Sequence, residues 1–259
     1  MGIRLAVLGS GSAGNATCIE GEGARVLVDA GFSCRELISR LRAVGVEPHR
    51  IDAVIVTHEH ADHVRGAPLF SRTHGVPIYC TRATHRAAGL DRQNVHATVE
   101  IDPETPFAIE GLTIRPFKVP HDAVETIGCT IEGNGARVGY ATDLGHGAEA
   151  VREGLRDCDL LILESNHDVE MLRAGPYPET IKRRVLSRHG HLDNESAADL
   201  AAESASDRTR SIVLAHISRT NNRPDLALRA AQHRFDRAGR RAPRISAADQ
   251  GRPSSWFEI

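Results

Sequence analysis

Aromatic residues are scarce: six Phe, three Tyr and one Trp in 259 positions. Stacking of bases on rings is therefore excluded as a dominant binding mode, although Tyr79, Tyr177 or Trp256 can each add one contact. The five cysteines, Cys18, Cys34, Cys80, Cys129 and Cys158, are scattered, odd in number and never spaced C-x-x-C. That argues against a disulfide framework and a cysteine zinc knuckle, and leaves buried reduced thiols. No run approaches the ~18 apolar residues of a membrane span. The opening M-G-I-R-L-A-V-L-G-S is too short and too strand-like for a signal peptide, so a cytoplasmic protein with no membrane association is expected. No G-x-x-x-x-G-K-[ST] string and no serine nucleophile elbow occur, which removes NTP-driven chemistry and a serine hydrolase.

Strong net charge is also missing: the balance is −2. The charge is unevenly placed, however. Residues 1–170 carry 16 Lys and Arg against 24 Asp and Glu, and residues 171–259 carry 16 against 10. A basic last third suits an anionic substrate or equally a set of solvated helix faces. Apart from Lys118 and Lys182 every basic residue is Arg, a preference that carries no functional weight.

The length suits one domain over 1–259 with an ample core. I-R-L-A-V-L-G and A-R-V-L-V-D-A-G read as strands flanking a tight turn, G-S-G-S-A-G-N at 9–15. From the N-cap Ser33, Leu37, Leu41 and Val44 share one helical side, and Gly45 closes the helix. I-D-A-V-I-V is a buried strand, followed by a helix over 63–74, the strand P-I-Y-C and a short helix over 82–89. Residues 95–141 read as several strands with a hairpin turn within 132–136. A helix over 148–156, the strand L-L-I-L-E, helical structure over 178–206, the strand S-I-V-L-A, a helix over 224–238 and one or two final strands complete the pattern. Alternation in both halves around an all-strand patch predicts an α/β fold of two mixed sheets faced by helices.

At 57–63 the chain reads T-H-E-H-A-D-H. At a strand end, His58 and His60, two apart, point to one side and suit one ion. Asp62 and His63 follow on the turn into a helix and point to a second. Imidazole with carboxylate suits zinc, manganese or iron. Further ligands are then expected at other strand ends. His121 follows T-I-R-P-F-K-V-P, Asp143 follows V-G-Y-A-T and His216 follows S-I-V-L-A. Each alone reads more readily as a capping or hydrogen-bonded residue; with the first motif their order and type match a two-metal site.

This set resembles the metallo-β-lactamase-fold hydrolases over the whole chain. Several strings are similar to its YycJ/VicX (WalJ) branch: G-S-G-S-A-G-N at 9–15, T-H-E-H-A-D-H-V-R-G at 57–66, A-T-D-L-G at 141–145, L-E-S-N-H-D at 163–168, G-P-Y-P at 175–178, G-H-L-D-N at 190–194 and A-H-I-S-R-T-N-N at 215–222. Where that branch usually has Ser in the fourth position of the G-H-L-x-N string, this chain has Asp193. The resemblance implies a four-layer αββα sandwich with the site at the edge between two sheets. It implies a first ion held by His58, His60 and His121, a second by Asp62, His63 and His216, and Asp143 bridging them.

Two divalent ions, zinc or manganese with iron also compatible, suit hydrolysis by a metal-bridging hydroxide. Asp62 is expected both to ligate and to orient that nucleophile. In phosphodiesterases of the superfamily such as ribonuclease Z, a histidine in a similar G-H string lies by the scissile phosphate. By that resemblance His191 is the acid for the leaving oxygen, and Glu164, ending a buried strand, is placed to orient it. Ser10, Ser12 and Asn15 of the 9–15 loop, with its backbone N–H groups, are candidates for a phosphate. His167 and Asp168 lie at the same rim. The branch implies a 5′-to-3′ DNA exonuclease; DNA is expected as partner ahead of RNA. The alternatives are a thioester or lactone hydrolase of the glyoxalase II type and a metal-stabilised accessory protein without activity.

Overall fold

Strands that lack polar alternation in sequence are buried on both faces in the structure, a computed structural model that describes residues 2–259. One sheet comprises β1 (Arg4–Gly9), β2 (Ala16–Gly21), β3 (Ala24–Val28), β4 (Ala53–Ile55), β5 (Ile78–Thr81) and β6 (Thr98–Ile101). The other comprises β7 (Phe107–Ile109), β8 (Leu112–Val119), β9 (Thr126–Gly133), β10 (Ala136–Ala141), β11 (Leu160–Glu164), β12 (Ser211–Ala215) and β13 (Arg244–Ala247). A last strand, β14 (Phe257–Glu258), returns to pair with β1. The orders are β14-β1-β2-β3-β4-β5-β6 and β13-β12-β11-β10-β9-β8-β7. In both sheets antiparallel hairpins give way to parallel strands, β3 to β6 and β10 to β13.

The helices are α1 (Cys34–Ala43), α2 (Ala61–Val64), α3 (Ala67–His74), α4 (Arg82–Ala87), α5 (Glu149–Leu155), α6 (Val169–Ala174), α7 (Glu179–Val185), α8 (Asn194–Ser204) and α9 (Pro224–Arg237). Side chains alternate across each strand, so each sheet serves two cores. Leu5 and Val7 meet Ile131, Val138, Leu160 and Ile162 between the sheets. Leu8, Leu27 and Val54 face the other way, onto Leu37 and Leu41 of α1 and Phe70 of α3. Leu161, Leu163, Ile212 and Leu214 pack under Leu155 of α5, Leu200 of α8 and Phe235 of α9. The result is the expected four-layer αββα sandwich.

The helix expected over 63–74 is broken, and the mostly helical stretch expected over 178–206 is divided in two, each for a local reason. The helix expected over 63–74 is split into α2 and α3 because Gly66 donates its N–H to the Ala30 carbonyl, 2.8 Å away, drawing the chain against the loop after β3. The helical stretch expected over 178–206 is interrupted between α7 and α8, where His191 donates its N–H to the Val185 carbonyl at 3.0 Å. Asp193 then caps α8, accepting from the N–H groups of Glu195 at 2.9 Å and Ser196 at 3.0 Å. An aspartate there provides the cap a serine gives. The hairpin within 132–136 turns on Asn134 and Gly135, with φ of 51° and 74°, the two-residue geometry that suits the sheet's twist. No described helix is long and apolar enough to cross a membrane.

Candidate metal centre

The strands β3, β4, β8, β10, β11 and β12 deliver their C-terminal ends to one edge of the sandwich. Asp29 follows β3, the T-H-E-H-A-D-H turn follows β4, His121 follows β8, Asp143 follows β10, Glu164 ends β11 and His216 follows β12. Loops at such ends need not fill the core and are free to carry polar groups. Three of these residues, Asp29, Asp143 and His216, have φ of 63°, 57° and 52°. Left-handed backbone costs about 1–2 kcal/mol at a residue with a Cβ, and such strain gathers where surrounding contacts over-determine it.

The imidazoles of His58, His60 and His121 surround one point, with ring centroids 4.6 Å (58 to 60), 5.3 Å (58 to 121) and 5.2 Å (60 to 121) apart. A second group, Asp62, His63 and His216, lies beside it. His216 Nε2 is 3.4 Å from Asp62 Oδ2, and His63 Nε2 is 3.1 Å from Asp143 Oδ2. Asp143 lies among both, 3.9 Å from His121 Nε2 and 3.5 Å from His216 Nδ1. The seven residues expected as ligands are thus brought together in one cluster.

Their outward bonds fix which atoms face inward. His121 donates Nδ1–H to the Gly190 carbonyl at 3.0 Å. His63 donates Nδ1–H to Asp29 at 2.8 Å, and His216 donates Nδ1–H to Glu164 at 3.0 Å. A carboxylate or carbonyl only accepts, so Nδ1 carries a proton in each ring and Nε2 is the nitrogen turned inward; that of His63 also lies 3.0 Å from the Asn15 amide nitrogen. His58 Nε2, His121 Nε2 and Asp143 Oδ2 are buried there with no hydrogen-bond partner. Orphaned buried acceptors of this kind cost stability unless something fills them. A divalent cation does so.

Charge points the same way. Burial works against a proton on His63 and His216, yet Asp143 and its neighbours outweigh it. His63 is held well above the usual imidazole range and His216 is pushed up to about 10. Burial, with His63 adding to it, keeps His58 well below that range; burial also lowers His121. Two rings are therefore neutral donors, while the carboxylates draw positive charge to the other side. Divalent metal ions satisfy both demands.

Beside the cluster, His191 donates Nδ1–H to Glu164 Oε1 at 2.7 Å. Glu164 also accepts from the N–H groups of Leu144 and Leu192, both at 3.0 Å. Burial would raise its carboxyl, but His191 and His216 hold it down to about 2. With four donors upon it, Glu164 orients imidazoles and has little left for a metal. Burial lowers the His191 pKa and Glu164 more than restores it, so the ring is raised overall. Its side chain is 19% exposed, which gives it a face toward solvent.

Residues 24–217 match a family model described as a beta-lactamase superfamily domain. The chain is 33% identical to exodeoxyribonuclease YycJ of Bacillus anthracis over 233 residues, covering 88% of this chain and 87% of that one. It is 32% identical to exodeoxyribonuclease WalJ of Streptococcus pneumoniae serotype 2, covering 88% and 86%. Its fold superposes on the metallo-beta-lactamase fold protein YhfI of Bacillus subtilis with a TM-score of 0.78, 20% identity and full coverage of both chains. The chain belongs to the YycJ/WalJ branch of the metallo-β-lactamase superfamily.

Within this metallo-β-lactamase fold the 9–15 loop differs from expectation. Ser10 and Asn15 are buried and face the cluster's scaffold, where substrate contact was expected. Ser10 Oγ donates to Asn15 Oδ1 at 2.9 Å and accepts from the His216 N–H at 2.8 Å. Asn15 takes the Asp62 carbonyl on its own N–H at 2.8 Å and on its amide at 3.2 Å. The loop thereby ties the Asp62 turn to His216; Ser12 alone of the three candidates is exposed. His167 is 1% exposed, and neither ring nitrogen has a partner. Asp168 caps α6, accepting from Met171 N–H at 2.8 Å.

Asp29 was missed by the sequence reading. Its carboxylate accepts from Thr57 N–H at 2.9 Å, Thr57 Oγ1 at 3.0 Å, His63 Nδ1 at 2.8 Å and Tyr140 OH at 3.3 Å. The signal was present, since V-L-V-D ends an apolar run in an acid just as the run before Asp143 does. Gly31, two residues on, lets the Asp62 turn approach: a Cβ there would lie 1.7 Å from the Asp62 carbonyl oxygen. Asp29→Asn removes the charge that orients His63. Metal affinity is expected to fall about 10–100-fold, measured by competition with a chromophoric chelator; unchanged affinity would reduce Asp29 to a fold residue.

Proposed function

We propose that residues 1–259 act as one domain, a cytoplasmic metal-dependent exonuclease that hydrolyses DNA phosphodiester bonds from the 5′ end. The observation that carries the choice of chemistry is the His191–Glu164 pair beside the cluster. A thiolate, with a pKa near 8.5, leaves with little help. A sugar alkoxide needs a proton, and a positioned imidazole is the common source. This favours a phosphodiester over a thioester. The names of the YycJ and WalJ relatives supply DNA and exonuclease action. The five buried free cysteines suit a reducing compartment.

In this reading His58, His60 and His121 would hold one ion and Asp62, His63 and His216 another, with Asp143 available to both. Zinc or manganese fits the donors. Bound there, the ions would supply Lewis acidity and lower the pKa of water. Asp62, 20% exposed where Asp143 is 2% exposed, faces the entering water, orients it and accepts its hydrogen bond. Asp29 and Glu164 fix the rings of His63 and His216. His191, held by Glu164 at Nδ1, gives a proton to the departing oxygen from Nε2. Manganese-loaded protein given 5′-phosphorylated, end-labelled DNA is the test. Mononucleotide release that stops with chelator supports the reading; inert protein in both zinc and manganese, with turnover of a glutathione thioester, rejects it.

A further inference from the structure

The helix α7 buries none of its residues, yet it is tied to the loops that carry His121 and His191. Its last turn holds the loop that carries His191. Val185 accepts the His191 N–H at 3.0 Å, and the Gly190 carbonyl accepts from His121 at 3.0 Å. A Cβ at Gly190 would lie 2.1 Å from the Val185 carbonyl oxygen, so glycine sets this approach. Core burial, the usual source of stability for a surface helix, does not account for α7.

Its charge does suggest a role. Between 182 and 189 the chain has Lys182, Arg183, Arg184 and Arg188 and no acid. Lys182 pairs with Glu179 at 3.2 Å, and Arg184 pairs with Asp122 on the loop after His121. Arg183 and Arg188 are exposed and meet no carboxylate among the described residues. Arg183 Nε donates to the Glu179 carbonyl at 3.4 Å, and an Arg188 guanidinium nitrogen lies 3.4 Å from His146 Nε2. Their forks are free for an anion, and a guanidinium suits phosphate geometry. The metal cluster is rich in carboxylates, so a polyanion needs cations beyond the scissile position to stay engaged.

We propose that α7 and the loop after it form the track for the substrate strand, with Arg183 and Arg188 holding backbone phosphates that flank the scissile one. The inference rests on the nuclease reading and names the surface that grips the polymer. Seven residues of helix are about 10 Å long; at one phosphate per ~3.4 Å of strand axis, that reaches about three phosphates.

The test compares metal-loaded wild type with the double variants R183Q/R188Q and R183K/R188K. kcat/KM is measured on 5′-phosphorylated single strands, from dinucleotide to dodecamer, over a range of KCl. Wild type should gain with length until the strand covers α7, and the Gln variant should lose that gain, roughly tenfold on the dodecamer at low salt. Its log–log salt slope should be shallower by about 1.4, near 0.7 for each lost contact on a single strand. The Lys variant keeps the charges and should keep the slope. Wild type that cleaves DNA while the Gln variant matches it in slope and length dependence overturns the track alone. Equal loss in the Gln and Lys variants also overturns it, since fold damage and not charge would be the cause. Wild type inert on every length overturns both the track and the nuclease reading.

Discussion

Asp62→Asn is expected to lower DNA cleavage by about 10³-fold or more while the protein stays folded. The substitution keeps the shape of the side chain and removes its charge. Asp62 Oδ2 faces His216 Nε2 at 3.4 Å and His63 Nε2 at 3.7 Å, so an amide there leaves the second group of donors one anion short. An ion held on that side, and a water beside it, would lose a positioning group. The fold has less at stake, because the Asp62 backbone carbonyl, which the substitution leaves in place, accepts from the Asn15 N–H at 2.8 Å and its amide at 3.2 Å, while the carboxylate adds only a 3.4 Å bond from that amide. Single-turnover rates, metal content and thermal unfolding on the same samples check this. Activity within tenfold of wild type would sink the assignment of Asp62; a collapsed melting temperature would move it from chemistry to folding.

His191→Ala should reduce kcat on DNA by about 10²–10⁴-fold, the range for loss of a positioned acid. The ring is not among the seven ligand candidates, so metal content should be retained. The loss should shrink on a nucleotide p-nitrophenyl ester, whose leaving group departs without a proton. Glu164→Gln offers a finer test. Glu164 raises the His191 pKa against burial, so its charge keeps the acid protonated to higher pH. With Gln in place, the alkaline fall of kcat should move to lower pH than in wild type. An unmoved limb, or equal loss on both substrates, would leave His191 without the role of acid.

Much of this was legible in sequence, and the parts differ for physical reasons. His58, His60, Asp62 and His63 stand in one string, so spacing alone brings them together. His121, Asp143 and His216 are far apart, yet each ends an apolar run, and parallel strands put such ends on one edge. The sandwich itself followed from runs such as L-L-I-L-E, which are buried on both faces. Direction of side chains was less legible. Ser10 and Asn15 sit in a loop that looks exposed by composition, but its partners lie in the Asp62 turn and the His216 strand, remote in sequence. The break at Gly66 has the same origin, since the hydrogen bond that diverts the chain goes to Ala30. Asp29 fell between these cases: its position at a strand end was visible, but its bonds to Thr57, His63 and Tyr140 depend on two sheets meeting.

The left-handed backbone at Asp29, Asp143 and His216 bears on how this enzyme is engineered. Glycine adopts that conformation freely and asparagine more easily than most residues. A redesign scored on backbone conformation alone would therefore favour replacing all three positions, even though the Asp29 carboxylate holds Thr57, His63 and Tyr140. It would also remove two of the seven candidate metal ligands, Asp143 and His216, because the residue that suits the backbone best at these positions is not one that binds a metal.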